Sequence, residues 1–133
     1  MNLIIGGAYQ GKLTYAAENY HLSPDETFDL AKIQTLPVSQ DGFPENCRCF
    51  FHFEALTKKA AAQKKFSPEE FLKSLPEIFF DSVIVSREIG SGIVPTDGFE
   101  RAYREFHGSV LSLLVRRSES VIRIFCGLPE VLK

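Results

Sequence analysis

A chain of 133 residues, 44% hydrophobic and 24% charged, has the length and balance of a single globular domain, 1–133, with one continuous core. That excludes a two-domain enzyme and a disordered or collagen-like chain, and a net charge of -2 excludes the basic face that duplex nucleic acid demands. The opening Met1-Asn2-Leu3-Ile4-Ile5-Gly6 has neither the basic flank nor the apolar length of a signal peptide or membrane span. With three cysteines and no disulfide framework, the chain is expected to be cytoplasmic, off the membrane, with free thiols.

Leu3-Ile4-Ile5 is a short apolar run ended by Gly6-Gly7, the pattern of a buried strand entering a glycine turn. Leu13, Ala16, Ala17 and Tyr20 then recur at helical spacing over residues 12–20. Thr27-Phe28-Asp29-Leu30 reads as a second strand, followed by an exposed loop through Pro37, Asp41-Gly42 and Pro44. Residues 47–53 read as a third strand, with Cys47, Cys49, Phe51 and Phe53 on one face and Arg48, Phe50 and His52 on the other.

An Ala/Lys-rich helix over 54–65 follows, and Ser67-Pro68-Glu69-Glu70 restarts a helix with a capping box that Pro76 ends. Ser82-Val83-Ile84-Val85-Ser86 is the clearest interior strand, and it delivers Glu88 to its carboxyl end before a glycine-rich loop. Asp97-Gly98-Phe99-Glu100 resembles a second capping box. Beyond it Phe99, Tyr103, Phe106, Val110, Leu113 and Leu114 trace one face of a long helix, and Val121-Ile122-Arg123-Ile124-Phe125 is expected as the last strand. Strands alternating with helices predict an α/β sandwich on a mostly parallel sheet.

Gly6-Gly7-Ala8-Tyr9-Gln10-Gly11-Lys12 fits the phosphate-loop pattern G-x-x-x-x-G-K and lies between a first strand and a first helix, where backbone N–H groups converge on an anion. Lys12 adds a point charge. The next position, usually a hydroxyl residue on Mg²⁺, is Leu13, with Thr14 one residue late. Either Thr14 is reached by a shifted helix start, or phosphates, water and a distant carboxylate hold the metal, or nucleotide binds without turnover.

Taken with this loop, Val85-Ser86-Arg87-Glu88-Ile89-Gly90-Ser91-Gly92-Ile93-Val94-Pro95 resembles the adenosylcobinamide kinase/adenosylcobinamide-phosphate guanylyltransferase family of cobalamin assembly. The likeness continues through Phe99-Glu100-Arg101-Ala102-Tyr103-Arg104-Glu105-Phe106-His107-Gly108 to Gly127-Leu128-Pro129, and is poor between residue 20 and the Val85 motif. It implies a RecA-like P-loop fold, a homotrimer, and ATP- or GTP-dependent phosphorylation of adenosylcobinamide with Mg²⁺. Guanylyl transfer through a histidine would follow. The resemblance puts that histidine in the stretch 31–44, which here has neither His nor Arg.

Phosphoryl transfer asks mainly for positioning and charge neutralisation. Lys12 and Glu88 are the expected catalytic residues, Glu88 because ligands of open α/β sheets lie at the carboxyl edge, and Thr14 and Glu54 the expected metal-side residues. Glu54 reads equally as the first residue of a helix, favoured by its dipole. Cys47, Cys49 and His52 suggest a metal only weakly, since alternation separates His52 from both thiols. His52 is chemically competent as a displaced nucleotidyl acceptor, although a lone strand histidine is usually structural. Lys58, Lys59, Lys64 and Lys65 read as a solvated basic face. The alternatives are a nucleotide-binding regulatory or scaffold homologue without catalysis, and a P-loop kinase for another small alcohol. A corrinoid is too large to be enclosed here and is expected on an open surface or between subunits.

Overall fold

In a computed structural model, which describes residues 1–90 and 92–133, one six-stranded sheet runs through the molecule in the order β2-β3-β4-β1-β5-β6. Its strands are β1 (Asn2–Gly6), β2 (Thr27–Asp29), β3 (Cys49–Phe51), β4 (Val83–Arg87), β5 (Ser120–Phe125) and β6 (Leu128–Val131). All neighbours pair in parallel except β5 and β6. The helices are α1 (Lys12–Asn19), α2 (Phe53–Gln63), α3 (Pro68–Lys73) and α4 (Gly98–Arg117). None is long and apolar enough to cross a membrane.

Period-two alternation along the interior strands divides the apolar residues between two layers. Leu3, Ile5, Ile84 and Val121 face a core with Phe53 and Leu56 of α2, Phe71 of α3 and Leu114 of α4. Ile4, Val83, Val85, Ile122 and Ile124 face the other side, where Ala16 and Tyr15 of α1 and Tyr20 just beyond it cover them. The phenylalanines thicken the first core: Phe50 stacks on Phe79 at 4.4 Å between ring centroids, and Phe43 meets Phe50 edge-on at 5.0 Å. Because β1 sends its helix to one face and its neighbour β4 sends α4 to the other, a crevice opens between their carboxyl ends.

The capping box at Ser67 is made in both directions, with Glu70 Oε2 accepting from the Ser67 N–H at 2.9 Å and Ser67 Oγ from the Glu70 N–H at 3.2 Å. The second box is only half made. Asp97 caps α4 through the Phe99 N–H at 3.4 Å, while Glu100 turns away to pair with Lys58 at 3.0 Å. Two further expectations are corrected. Regular strand geometry is confined to Cys49–Phe51, because the Cys47 N–H is turned back onto the Pro44 carbonyl and His52 adopts φ 58°, ψ 43° as the chain bends into α2. Cys47 and Phe53 therefore pack in the core of α2 to α4, and Cys49 and Phe51 on the α1 side. Nor is β5 the last strand: the chain turns at Cys126 and Gly127, with φ 50° and 77°, and returns as β6. All three thiols are free, and burial pushes that of Cys49 up to about 12.

Candidate functional site

Strand polarity gathers the ends of β1, β2, β3 and β4 at one edge, and the residues that leave those ends build the site. After β1, Gly6 to Lys12 wrap around the amino terminus of α1. Gly6 is required by contact: a Cβ there would lie 2.5 Å from the Ile124 carbonyl oxygen of β5. Gly11 precedes the helix at φ 87°, ψ 22°, which aims the first N–H groups of α1 into the loop. The β5–β6 turn braces the loop from outside, since Gln10 Oε1 accepts from the Cys126 N–H at 2.5 Å and its carbonyl from the Gly127 N–H at 3.0 Å. Lys12 folds back to donate to the Gly7 carbonyl at 2.6 Å. Burial, opposed by the Glu54 charge and assisted by that of Arg87, holds its ammonium below the usual lysine value.

Ala8 to Thr14 line one side of a cavity of about 250 Å³, whose other walls are Phe51, His52, Glu54, Val85, Ser86 and Arg87. Thr14 thus faces the cavity, as does Leu13. Glu54 sits in the first turn of α2, where the helix dipole favours a carboxylate, and its Oε2 accepts from the Arg87 N–H at 2.9 Å. The reading of Glu54 as a residue of the helix start holds, and the same turn lies just past the end of β3. Glu88 is placed otherwise. Its Oε2 pairs with Arg123 Nε at 3.1 Å, and its charge reaches Lys12 without lining the cavity.

His52 is the residue that strand alternation misplaced. Its left-handed backbone brings the ring to the cavity wall, where Nδ1–H donates to Asp29 Oδ1 at 2.8 Å. Burial raises the Asp29 pKa, but hydrogen bonds from His52 and the Ala31 N–H outweigh it, leaving that carboxyl below its usual value. In the neutral ring this leaves Nε2 as the free lone pair. The sequence signal was positional: His52 lies one residue past a strand whose carboxyl end forms the site.

A second cavity, of about 370 Å³, adjoins the first and shares Glu54 and Arg87 with it. Ala55, Ile89, Ile93 and Pro95 give it apolar walls, and Lys58, Glu100, Tyr103 and Arg104 a polar rim. Arg104 shapes its loop by donating to the Ile93 carbonyl at 2.9 Å and the Gly90 carbonyl at 2.6 Å. Ser91, part of the motif read from sequence, lies outside the described residues.

Beneath the shared wall, His107 is buried, 1% exposed. Its Nε2–H donates to the Arg87 carbonyl at 2.9 Å, which leaves Nδ1 to accept from the Thr57 hydroxyl at 2.7 Å. The Tyr103 hydroxyl donates to the Glu54 carbonyl at 2.8 Å, and burial pushes that phenol up to about 12, so it remains a donor. Burial likewise holds His107 below the usual histidine value, in the neutral form these bonds need.

A parallel sheet flanked by helices, with a glycine loop bridging its central strand and first helix, is the architecture of P-loop nucleoside triphosphatases. Within that class the chain belongs to the family described as cobinamide kinase / cobinamide phosphate guanyltransferase, whose model matches residues 46–132. That membership places it in cobalamin biosynthesis. The match takes in residues from 46 onward that the sequence resemblance had left aside, and it begins after the phosphate loop. None of the curated proteins matches the chain.

Proposed function

We propose that the protein binds ATP or GTP on residues 6–14 and phosphorylates the hydroxyl of adenosylcobinamide. One observation carries this reading: the cavity beside residues 8–14 and the second cavity share Glu54 and Arg87, which supports an acceptor bound next to a nucleotide's terminal phosphate. The second cavity has the apolar residues Ala55, Ile89, Ile93 and Pro95 in its lining, which suits the edge of a broad, flat substrate lying mostly outside it. Lys12 leaves the Gly7 carbonyl to reach the phosphates, and the loop N–H groups take up their charge.

No cluster of three His, Cys, Asp or Glu side chains among the described residues could cage a metal ion. The oxygen donors Thr14 and Glu54 at the cavity fit a Mg²⁺ ion brought in on the phosphates and keeping its water, and these two residues would hold it. When bound, the ion neutralises phosphate charge.

A second reading is guanylyl transfer through His52, favoured by its place on the cavity wall and by the Asp29 carboxylate that orients it. Self-association through the β5–β6 hairpin is supported by Phe125, Leu128, Val131 and Leu132, which are 53% to 72% exposed along that edge of the sheet.

The test is to incubate the protein with Mg²⁺, adenosylcobinamide and GTP or ATP labelled at either the γ- or the α-phosphate. Label from the γ-position in the corrinoid is expected. Label from α-GTP, appearing on the protein and lost in His52→Ala, would establish the second reading. Nucleotide binding without transfer of either label would sink both and leave a regulatory homologue or another alcohol as acceptor.

A further inference from the structure

Arg87 is the last residue of β4, and its main chain is tied on both sides: its N–H donates to Glu54 Oε2 at 2.9 Å and its carbonyl accepts from buried His107 at 2.9 Å. Its Cα is thereby fixed on the wall common to the two cavities. Its guanidinium, by contrast, makes neither an ion pair nor a hydrogen bond among the described residues. The neighbouring arginines are engaged, Arg123 with Glu88, Arg101 with the Pro95 and Thr96 carbonyls, and Arg104 with the loop after β4. Arg87 stands close enough to Lys12 to depress its pKa. Lys12, held on a loop carbonyl, and Arg87, with no partner among the described residues, both line the first cavity, and two cations there suit an anion of high charge.

Resting on the proposed kinase function, we infer that Arg87 grips the γ-phosphoryl group as it passes from the nucleotide to the acceptor. In that step the acceptor hydroxyl oxygen bonds to the γ-phosphorus while the bond from this phosphorus to the β,γ-bridging oxygen breaks. The nucleoside diphosphate leaves with the electron pair, and the hydroxyl proton goes to water in the open cavity. A guanidinium is suited to this task because its planar fork engages two phosphoryl oxygens at once and stays charged throughout. Its fixed backbone lets it act with little reorganisation.

Calorimetric titration separates this role from the reading beneath it, with the Mg²⁺ complexes of the β,γ-imido triphosphates as probes beside ADP and GDP. Arg87→Ala keeps both main-chain bonds, so it is expected to melt as the wild type does. Its affinity for the imido triphosphate should fall about 30-fold, the loss of one charge-assisted contact, while its diphosphate affinity stays unchanged. Arg87→Lys should recover part of the difference. If wild type binds the triphosphate and Arg87→Ala binds it equally well, the assignment is overturned and the phosphate loop stands. If wild type binds neither nucleotide, the kinase reading fails and the Arg87 role goes with it.

Discussion

The two cavities at the sheet edge are built in different ways. One side of the first is a run of consecutive residues, 8–14, that follows the Gly6-Gly7 turn and owes its shape to backbone conformation. The second is assembled from side chains of α2, α4 and the loop after β4, brought together by packing. A backbone site tolerates change in side chains that merely line it but none in the glycines that shape it. A side-chain site should behave in the opposite way.

Gly6→Ala is the severest test of this contrast. Its Cβ would meet a backbone carbonyl of β5, which cannot swing aside, so a stability loss of about 3 kcal/mol is expected in chemical denaturation. A variant as stable as wild type would show that β1 and β5 can part. Lys12→Ala removes charge rather than shape. The fold should be retained and nucleotide affinity should fall about 100-fold by calorimetry, the order expected for a charged contact of nearly 3 kcal/mol.

Ile93→Asp addresses the second cavity alone. Ile93 is 95% exposed, so its replacement should leave the melting temperature unchanged. The KM for adenosylcobinamide should rise about 10-fold with nucleotide affinity untouched, since an apolar contact is lost and a charge is added. An unchanged KM would move the acceptor elsewhere.

The smallest effect concerns the wall between the cavities. His107 titrates below its unfolded value of about 6.5, so on acidification the unfolded chain takes up a proton that the native chain refuses. Stability should therefore fall as pH drops below about 6.5 and level off once the lowered native value is passed. Asp29, Asp25 and Glu26, whose native values are depressed, lose their contributions in a lower window, below about pH 4. Denaturation of His107→Gln should lack the slope between these windows. If its pH profile matches that of the wild type, the neutral histidine network is not what the acid limb reports.

The long periodic segments were legible because each signal is local. The helix of α4, the Ser67 capping box and the interior strands follow from spacing alone, and the turn from β1 into α1 from its glycines. The short elements were harder. The strand pattern of 47–53 broke at both ends, at Cys47 where the backbone turns back onto Pro44 and at His52 where it is left-handed, and alternation cannot announce its own ends. Strand β6 was missed because Leu128, Pro129, Glu130 and Val131 are all exposed and carry no buried face to mark a strand.

What the residues determined by themselves was the α/β class, a glycine-rich turn between the first strand and helix, and the likeness to a cobinamide kinase family, all of which rest on contiguous chain. Which side chains share a site was decided by tertiary structure. Asp29, the pair His52 and Glu54, and Arg87 come from three places in the chain and meet because parallel strands carry every carboxyl end to one edge. Glu88 is drawn off by an arginine that only the packing of β5 beside β1 puts within reach. Charge and chemistry are properties of a residue, but availability depends on its neighbours, and neighbours more than a few positions away are set by folding.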